Sequence, residues 1–168
     1  MDVKEALQKR RSVRKFTAEP VSEADIEALL HAAMSGPSAC NCRPWQFYVV
    51  TDPVTLALLR QSTKFTKITA PMAIVVCGDL LHSLPLAMSA FWIQDCSAAT
   101  ENILLQAVEL GLGAVWCGIH PQKGGEKHVS EALHLPKTQT PLNILWIGHP
   151  AEQPQPRDQY DEKRVHRI

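Results

Sequence analysis

The chain has 168 residues, enough for one domain with a substantial hydrophobic core. Its 17 Lys and Arg residues balance its 17 Asp and Glu residues, so no net charge attracts nucleic acid. No apolar run reaches the roughly 18 residues that a membrane span requires, and the charged N-terminus is unlike a secretory signal. We therefore expect a cytoplasmic protein that binds neither nucleic acid nor membranes.

Helical segments alternate with short apolar strands along the chain. The first helix is predicted at residues 3–9, and Ser22 with Asp25 marks a capping-box-like start for the second, which ends at Gly36-Pro37. Asp52-Pro53 fits the N-cap and first position of a third helix that reaches about residue 62. Further helices are predicted at 91–110 and 125–133, and strands at 46–51, 72–77, 114–117 and 143–148. The pattern predicts a single α+β domain over residues 1–168, with an extended tail from about residue 150 that is rich in Gln, Pro and charge.

Three arginines and a serine form a dense basic cluster next to the first helix. Arg10, Arg11, Ser12 and Arg14 fall within five residues, and Arg10 and Arg14 are one helical turn apart. Guanidinium and hydroxyl groups are suitable donors to phosphate oxygens, so the cluster predicts a site for a cofactor phosphate. The alternative is that the basic residues complement the helix dipole and lie in solvent.

Other common cofactor and metal signatures are absent from the sequence. The one-residue spacing of Cys40 and Cys42 suits neither a zinc site nor a Cys-x-x-Cys redox pair, and the seven histidines are scattered. No metal site is therefore predicted. There is no Gly-x-Gly-x-x-Gly fingerprint and no Walker-type loop, so side chains would have to hold a bound phosphate.

Four segments carry a resemblance to a known family. Residues 10–16 (RRSVRKF), 36–47 (GPSACNCRPWQF), 95–105 (DCSAATENILL) and 111–118 (GLGAVWCG) resemble the nitroreductase family of FMN-dependent oxidoreductases, in the family order and over nearly the whole chain. The resemblance implies a three-layer α-β-α sandwich that forms an intertwined homodimer with two FMN sites at the subunit interface.

The same resemblance assigns cofactor-binding roles to individual residues. Arg10, Arg11 and Ser12 would bind the phosphate and ribityl end of FMN, and Arg14 would approach flavin N1 and O2. The partner subunit would supply a loop, and backbone N–H groups at a strand end would face flavin N5 and O4. The loop residues are Pro37, Ser38, Ala39 and Asn41, and the strand-end residues are Trp116, Cys117 and Gly118. Arg157 and Arg164 in the tail are carried over as phosphate ligands.

Alternatives remain for some of these residues. The residues from Pro37 to Asn41 could form a simple helix-ending turn, and Trp116 could pack in the core. The sequence departs from the family pattern at Arg43, where Gln is usual, and at its His-Arg-Ile end, where close relatives often have an aromatic residue and a terminal Trp. Neither departure removes a predicted cofactor contact.

The function implied is ping-pong hydride transfer from NADH or NADPH, through FMN, to nitroaromatics, quinones or related acceptors such as free flavins. No dedicated acid or base is assigned, and protons are expected from solvent. The short apolar segment at residues 80–90 predicts a compact roof over a permissive pocket. Three alternatives are a non-catalytic FMN carrier, specialised flavin chemistry on the same fold, and nucleophilic catalysis by Cys40, Cys42 or Cys117.

Overall fold

The computed structural model describes residues 1–85 and 88–168. Their helices and strands, in chain order, are α1 (Val3–Lys9), α2 (Glu23–Met34), β1 (Trp45–Val50), α3 (Pro53–Leu59), β2 (Met72–Asp79), α4 (Phe91–Glu109), β3 (Gly113–Gly118), α5 (Lys123–Ala132) and β4 (Gln139–Gly148). Short 3₁₀ turns lie at Ala39–Asn41 and Glu162–Arg164. The predicted α+β class is therefore confirmed, although the predicted roof segment, residues 80–90, includes Leu86 and Ala87, which lie outside the described residues.

Side-chain caps fix two of the helix starts where the sequence predicts them. The Ser22 hydroxyl accepts the N–H of Asp25 at 3.1 Å, at the start of α2. The Asp52 carboxylate accepts the N–H of Thr55 at 2.8 Å. This hydrogen bond is the main reason why the pKa of Asp52 lies below its usual value. Helix α3 then ends at Leu59, which is earlier than the predicted end near residue 62, because the chain continues into turns.

The four strands form an antiparallel sheet in the order β1-β2-β4-β3. Every residue of β2 is buried. Its alternate side chains enter two separate clusters: Ile74 joins residues of α2 and α4, and Val75 joins residues of α3 and α5. The continuous apolar run at 72–77 is thus explained by helices that cover both faces of this strand.

Strand β4 begins at Gln139, four residues before the predicted start. Pro141 disfavours a strand in sequence terms because proline donates no ladder hydrogen bond. The register between β2 and β4 shifts at this point, so that Leu142 has no partner residue in β2, whereas Pro141 and Asn143 on either side of it are paired. The Leu142 carbonyl instead accepts the N–H groups of Ile119 and His120, at 2.9 and 3.0 Å, just beyond the end of β3.

The basic cluster lies alongside β3. Ser12 pairs with Ala114 in a parallel bridge, and the N–H of Val13 donates to the Ala114 carbonyl at 3.0 Å. Gly113 is required next to this contact, because a Cβ there would lie 2.7 Å from a methyl carbon of Val13. These contacts hold the segment after α1 against the outer edge of the sheet.

The C-terminal residues begin beside this segment and then leave it. The N–H of Ala151 donates to the Lys15 carbonyl at 2.9 Å, whereas residues 155–168 are all exposed. Large apolar side chains in this exposed stretch include Tyr160, Val165 and Ile168. None of the helices in the described part of the chain is long and apolar enough to cross a membrane.

Candidate functional site

A cavity of about 340 Å³ lies where the end of α1, helix α4, strand β3 and the first tail residues meet. We call it the arginine cavity. Its lining residues are Lys9, Arg10, Arg11, Val13, Leu104, Val108, Gly111, Leu112, Ala114, Pro150, Glu152, Gln153, Pro154 and Pro156. Three of these are basic and one is acidic, so the cavity favours an anionic ligand.

The two arginines in this cavity have different environments. Arg10 forms an ion pair with Glu101, with 3.4 Å between Nε and Oε1. Burial raises the pKa of Glu101, and the Arg10 guanidinium offsets part of that rise. Arg11 has a buried Nε that finds no hydrogen-bond partner among the described residues. Because leaving a buried charged donor unpaired costs free energy, Arg11 would gain most from a hydrogen bond to a bound anion.

Arg14 is oriented differently from Arg10 and Arg11. Its side chain is exposed, and its backbone N–H donates to Glu152 Oε1 at 2.7 Å. Its guanidinium is close enough to Cys117 to act on the pKa of that thiol. The positive charge of Arg14 therefore acts at Cys117, near the C-terminal end of β3.

The Cys117 thiol is unsuited to nucleophilic chemistry. Cys117 is buried, and its Sγ donates to the Phe65 carbonyl at 3.3 Å. Burial raises the pKa of this thiol to about 11, and the nearby Arg14 charge only partly opposes that rise. The thiol is therefore protonated at neutral pH, which argues against the nucleophilic alternative for this residue.

Both neighbours of Cys117 offer accessible surface. Trp116 is 36% exposed and joins neither core cluster, so the core-packing alternative for this residue is wrong. Gly118 faces open space, since a Cβ there would have no atom within 4 Å. The backbone at this end of β3 can therefore be approached closely by a flat ligand.

The residues from Pro37 to Asn41, which we call the 37–41 loop, form a second feature. Pro37, Ser38 and Ala39 line a cleft of about 360 Å³ with residues of α4, and we call this the loop cleft. The α4 residues are Phe91, Gln94, Asp95 and Ala98. Cys40 and Asn41 have φ values of 49° and 56°, a region that non-glycine residues seldom adopt. The Asn41 value agrees with the turn alternative, because asparagine tolerates this region, whereas the Cys40 value is uncommon for its residue type.

The predicted site residues do not all meet within one chain. Arg10 and Arg11 line the arginine cavity, whereas Pro37, Ser38 and Ala39 line the separate loop cleft. Arg157 and Arg164 line neither of them, and Arg164 Nε instead pairs with Asp161 Oδ2 at 3.2 Å. Within one chain the structure therefore shows two separate parts of the predicted site.

Three acidic residues that sequence reasoning missed support these parts. Glu101 and Glu152 contact Arg10 and Arg14, and Asp95 accepts the N–H of Ala39 at 2.8 Å. Asp95 has a sequence signal, since a lone acid within the apolar first half of a predicted helix calls for a partner. Glu101 and Glu152 have no such sequence signal, because their contacts depend on how distant segments pack.

The described residues contain no group of three or more His, Cys, Asp and Glu side chains that could hold a metal ion. Cys77 and Cys96 are buried, and burial raises the pKa of both thiols, to about 12 for Cys96. His120 has its own partner, with 2.6 Å between Nδ1 and Glu126 Oε1. The chemistry of the described site thus resides in its arginines and in exposed backbone.

These features are those of an α+β protein with an arginine-lined cavity that favours an anionic ligand, beside an exposed strand end. The family model for the nitroreductase family matches residues 7–66 and 59–149. A protein of Methanothermobacter thermautotrophicus, provisionally named NADH dehydrogenase/NAD(P)H nitroreductase, is 41% identical over 99% of this chain and 86% of its own length. The chain belongs to the nitroreductase family.

Other relatives agree with this assignment. The oxygen-insensitive NADPH nitroreductase of Salmonella typhimurium is 32% identical over 89% of this chain and 66% of its own length. The structure of an FMN-dependent nitroreductase from Clostridium difficile superposes with a TM-score of 0.87 at 32% identity, covering 96% of both chains. The predicted family and the predicted enzyme class, an NAD(P)H-dependent oxidoreductase, are confirmed.

Proposed function

We propose that this protein is an FMN-dependent oxidoreductase that uses NADH or NADPH to reduce nitroaromatic, quinone or related acceptors. The names of its relatives support FMN as cofactor and NAD(P)H as electron donor. The observation that carries the proposal is the arginine cavity, and above all the buried, unpartnered Nε of Arg11.

The residues of this cavity fit the phosphate of FMN. That phosphate has roughly two negative charges at neutral pH and strong acceptor oxygens. Arg11 would satisfy its buried Nε by donating to a phosphate oxygen, and Arg10 would donate from the same cavity. Ser12, which pairs with Ala114 beside the cavity, would donate to the phosphate or the ribityl chain. Arg157 and Arg164 of a partner chain's tail remain candidates to complete the phosphate site, since within one chain they line neither cavity.

The isoalloxazine ring is assigned to the region between Arg14 and the end of β3. The effect of Arg14 on Cys117 supports the nearness of this cation to the strand end, and the open space at Gly118 supports close approach to the backbone. Bound FMN supplies the redox chemistry, which is hydride acceptance from NAD(P)H followed by hydride transfer to the acceptor in a ping-pong cycle. Arg14 would stabilise negative charge at N1 and O2, and Trp116, Cys117 and Gly118 would offer their backbone near N5 and O4.

The proposed assembly is an intertwined homodimer of single-domain, three-layer α-β-α subunits, with the 37–41 loop completing the partner's site. The separation of the loop cleft from the arginine cavity within one chain supports this arrangement. Exposed apolar side chains on α1, α2 and α4 also support it, because they suit a subunit interface; they are Val3, Leu7, Met34 and Phe91. We propose a cytoplasmic location, in keeping with five cysteines that are all unpaired.

A non-catalytic FMN carrier is not favoured, because the relatives are named as reductases and oxidoreductases. We assign no protein acid or base, and the high pKa of Cys117 agrees with that choice. The role of this chain is to bind the cofactor, to orient it and to set the charge around its ring.

The test is an anaerobic visible spectrum of the FMN-reconstituted protein before and after NADH, and then NADPH. We expect bound-flavin bands that bleach with at least one donor and return when a quinone or nitroaromatic is added. Bound flavin that neither donor bleaches would contradict the enzymatic part of the proposal. Protein that retains no flavin would contradict the cofactor assignment.

A further inference from the structure

Helix α4 contacts the end of α2 and the 37–41 loop along a single stripe. Its contact residues are Asp95, Ala99 and Asn102, spaced one helical turn apart. Asn102 Nδ2 donates to the Ala32 carbonyl at 3.0 Å, near the C-terminal end of α2. One face of α4 therefore determines where α2 ends and where the loop begins.

The middle contact of this stripe is a close approach of two backbones. A Cβ on Gly36 would lie 3.3 Å from the Ala99 nitrogen and 3.5 Å from the Ala98 carbonyl carbon. The absence of a side chain at Gly36 thus lets the start of the loop lie directly on α4. One turn away, Asp95 makes the polar contact of the stripe.

Asp95 contacts the 37–41 loop itself. Its residue is only 5% exposed, and its Oδ1 accepts the backbone N–H of Ala39 at 2.8 Å. Burying a carboxylate is costly unless donors compensate it, and a hydrogen bond to a charged acceptor is stronger than a neutral one. The contact therefore joins a buried side chain of α4 to the first residue of the 3₁₀ turn that carries Cys40 and Asn41.

This turn needs an external anchor. Cys40 and Asn41 hold positive φ values, and the Cys40 conformation costs free energy that contacts with the rest of the molecule must offset. The Ser38 hydroxyl accepts the N–H of Arg43 at 3.0 Å, which closes the turn but does not attach it to the rest of the molecule. Asp95 supplies that attachment.

We infer that Asp95 is a positioning residue for the cofactor site. It holds the 37–41 loop in the strained conformation that meets the flavin of the partner subunit. This inference rests on the proposed function, since it presumes that the loop contacts bound FMN. It requires an acceptor oxygen at position 95 rather than a negative charge.

The experiment measures FMN dissociation constants of the apo-protein by fluorescence quenching, together with apo-protein melting temperatures. Asp95→Ala removes the acceptor, and Asp95→Asn keeps an acceptor oxygen without the charge. Ala39→Pro removes the donor from the loop side, at a first-turn position where proline fits because Ser38 has an extended ψ of 151°. The matched control is Asn102→Ala, which removes the neighbouring contact to Ala32 and leaves the loop contact intact.

We expect Asp95→Ala and Ala39→Pro each to weaken FMN binding by about tenfold or more, as for a buried hydrogen bond whose remaining partner is left unsatisfied. Asp95→Asn and Asn102→Ala should bind FMN within about threefold of wild type, although Asn102→Ala lowers the melting temperature. If Asp95→Ala fails to fold, Ala39→Pro removes the same hydrogen bond from the loop side, and wild-type FMN affinity in that variant still overturns the inference. Wild-type affinity in either loop-releasing variant, or equal losses in Asp95→Asn and Asp95→Ala, would overturn the inference. A wild-type protein that binds no FMN would instead overturn the proposed function.

Discussion

The arginine cavity and the loop cleft are prepared for a ligand in different ways. The arginine cavity contains three basic residues and one acidic residue, with a buried guanidinium nitrogen that has no partner among the described residues. The loop cleft has no basic lining residue, and its distinguishing feature is a strained backbone attached to α4 through Asp95. The arginine cavity therefore attracts an anionic ligand through its charge, whereas the loop cleft depends on a fixed backbone conformation.

This difference predicts different consequences of substitution. Changes at Arg11 should act on cofactor affinity and leave the fold intact, because its buried Nε has no partner among the described residues. Changes in the loop should act on stability and affinity together, because the loop's conformation is itself costly.

Arg11→Gln should give the largest effect. The substitution removes the guanidinium, with its buried Nε, that we assign to the phosphate, so FMN affinity should fall by about 100-fold, as expected for losing charged hydrogen bonds. The melting temperature of the apo-protein should stay the same or rise, because an unpaired buried donor is removed. Fluorescence titration and thermal melting measure both effects. Arg60→Gln, the same chemical change outside both cavities, is the control; equal losses in the two variants would remove the distinction we draw for Arg11.

Cys40→Val tests the loop cleft. A β-branched residue at φ 49° is strained, so the free energy of unfolding should fall by about 1–3 kcal/mol, with weaker FMN binding. Cys40→Gly should restore or exceed wild-type stability, because glycine adopts this φ without penalty. Urea unfolding of the apo-protein measures the difference. Because Cys40 is exposed, lost burial cannot account for it, and equal stabilities of the two variants would show that the loop is unstrained.

Arg14→Gln should alter flavin electronics more than flavin affinity. Loss of a cation near N1 and O2 should lower the two-electron reduction potential by about 30 mV, a tenfold change in the equilibrium constant. The FMN dissociation constant should change by less than about tenfold, since Arg14 is exposed and is not assigned to the phosphate. Redox titration against a reference dye measures the potential. An unchanged potential with much weaker binding would place Arg14 at the phosphate instead.

Cys117→Ala should have the smallest effect on turnover. Its backbone is retained and its thiol is protonated at neutral pH, so steady-state rates with NAD(P)H should stay within about twofold of wild type. The folded-state pKa is raised to about 11, so between the unfolded-state pKa and 11 the folded protein binds more protons than the unfolded chain. The stability of wild type relative to Cys117→Ala should therefore decline as pH rises through that window. Loss of turnover in Cys117→Ala would revive the nucleophilic alternative.

The contrast between the two regions also explains what sequence could predict. The arginine cluster is contiguous in the chain, and charge density in five residues indicates an anion site without knowledge of the fold. Asp95 and Ala39 are 56 positions apart, and their contact depends on how α4 packs against the end of α2. The resemblance to the nitroreductase family identified the loop residues, but not the carboxylate that holds them.

The elements were predicted best where local chemistry decides them. Ser22 and Asp52 cap their helices as expected because capping is a local hydrogen bond. The start of β4 was predicted too late, since a bulge at Leu142 accommodates Pro141 within the strand and such a bulge depends on the partner strand. Strand order and the burial of Asp95 likewise depend on long-range packing.

In the proposed homodimer, the arginine cavity of one subunit and the 37–41 loop of the other form one cofactor site. This arrangement can be tested by combining differently tagged Arg11→Gln and Asp95→Ala subunits and measuring the FMN stoichiometry of the purified mixed dimer. One site of that dimer would contain both defects, and the other would contain neither. We expect one tightly bound FMN per mixed dimer, whereas each parent dimer binds FMN weakly. A mixed dimer that binds FMN no better than its parents would show instead that the cavity and the loop act within the same chain.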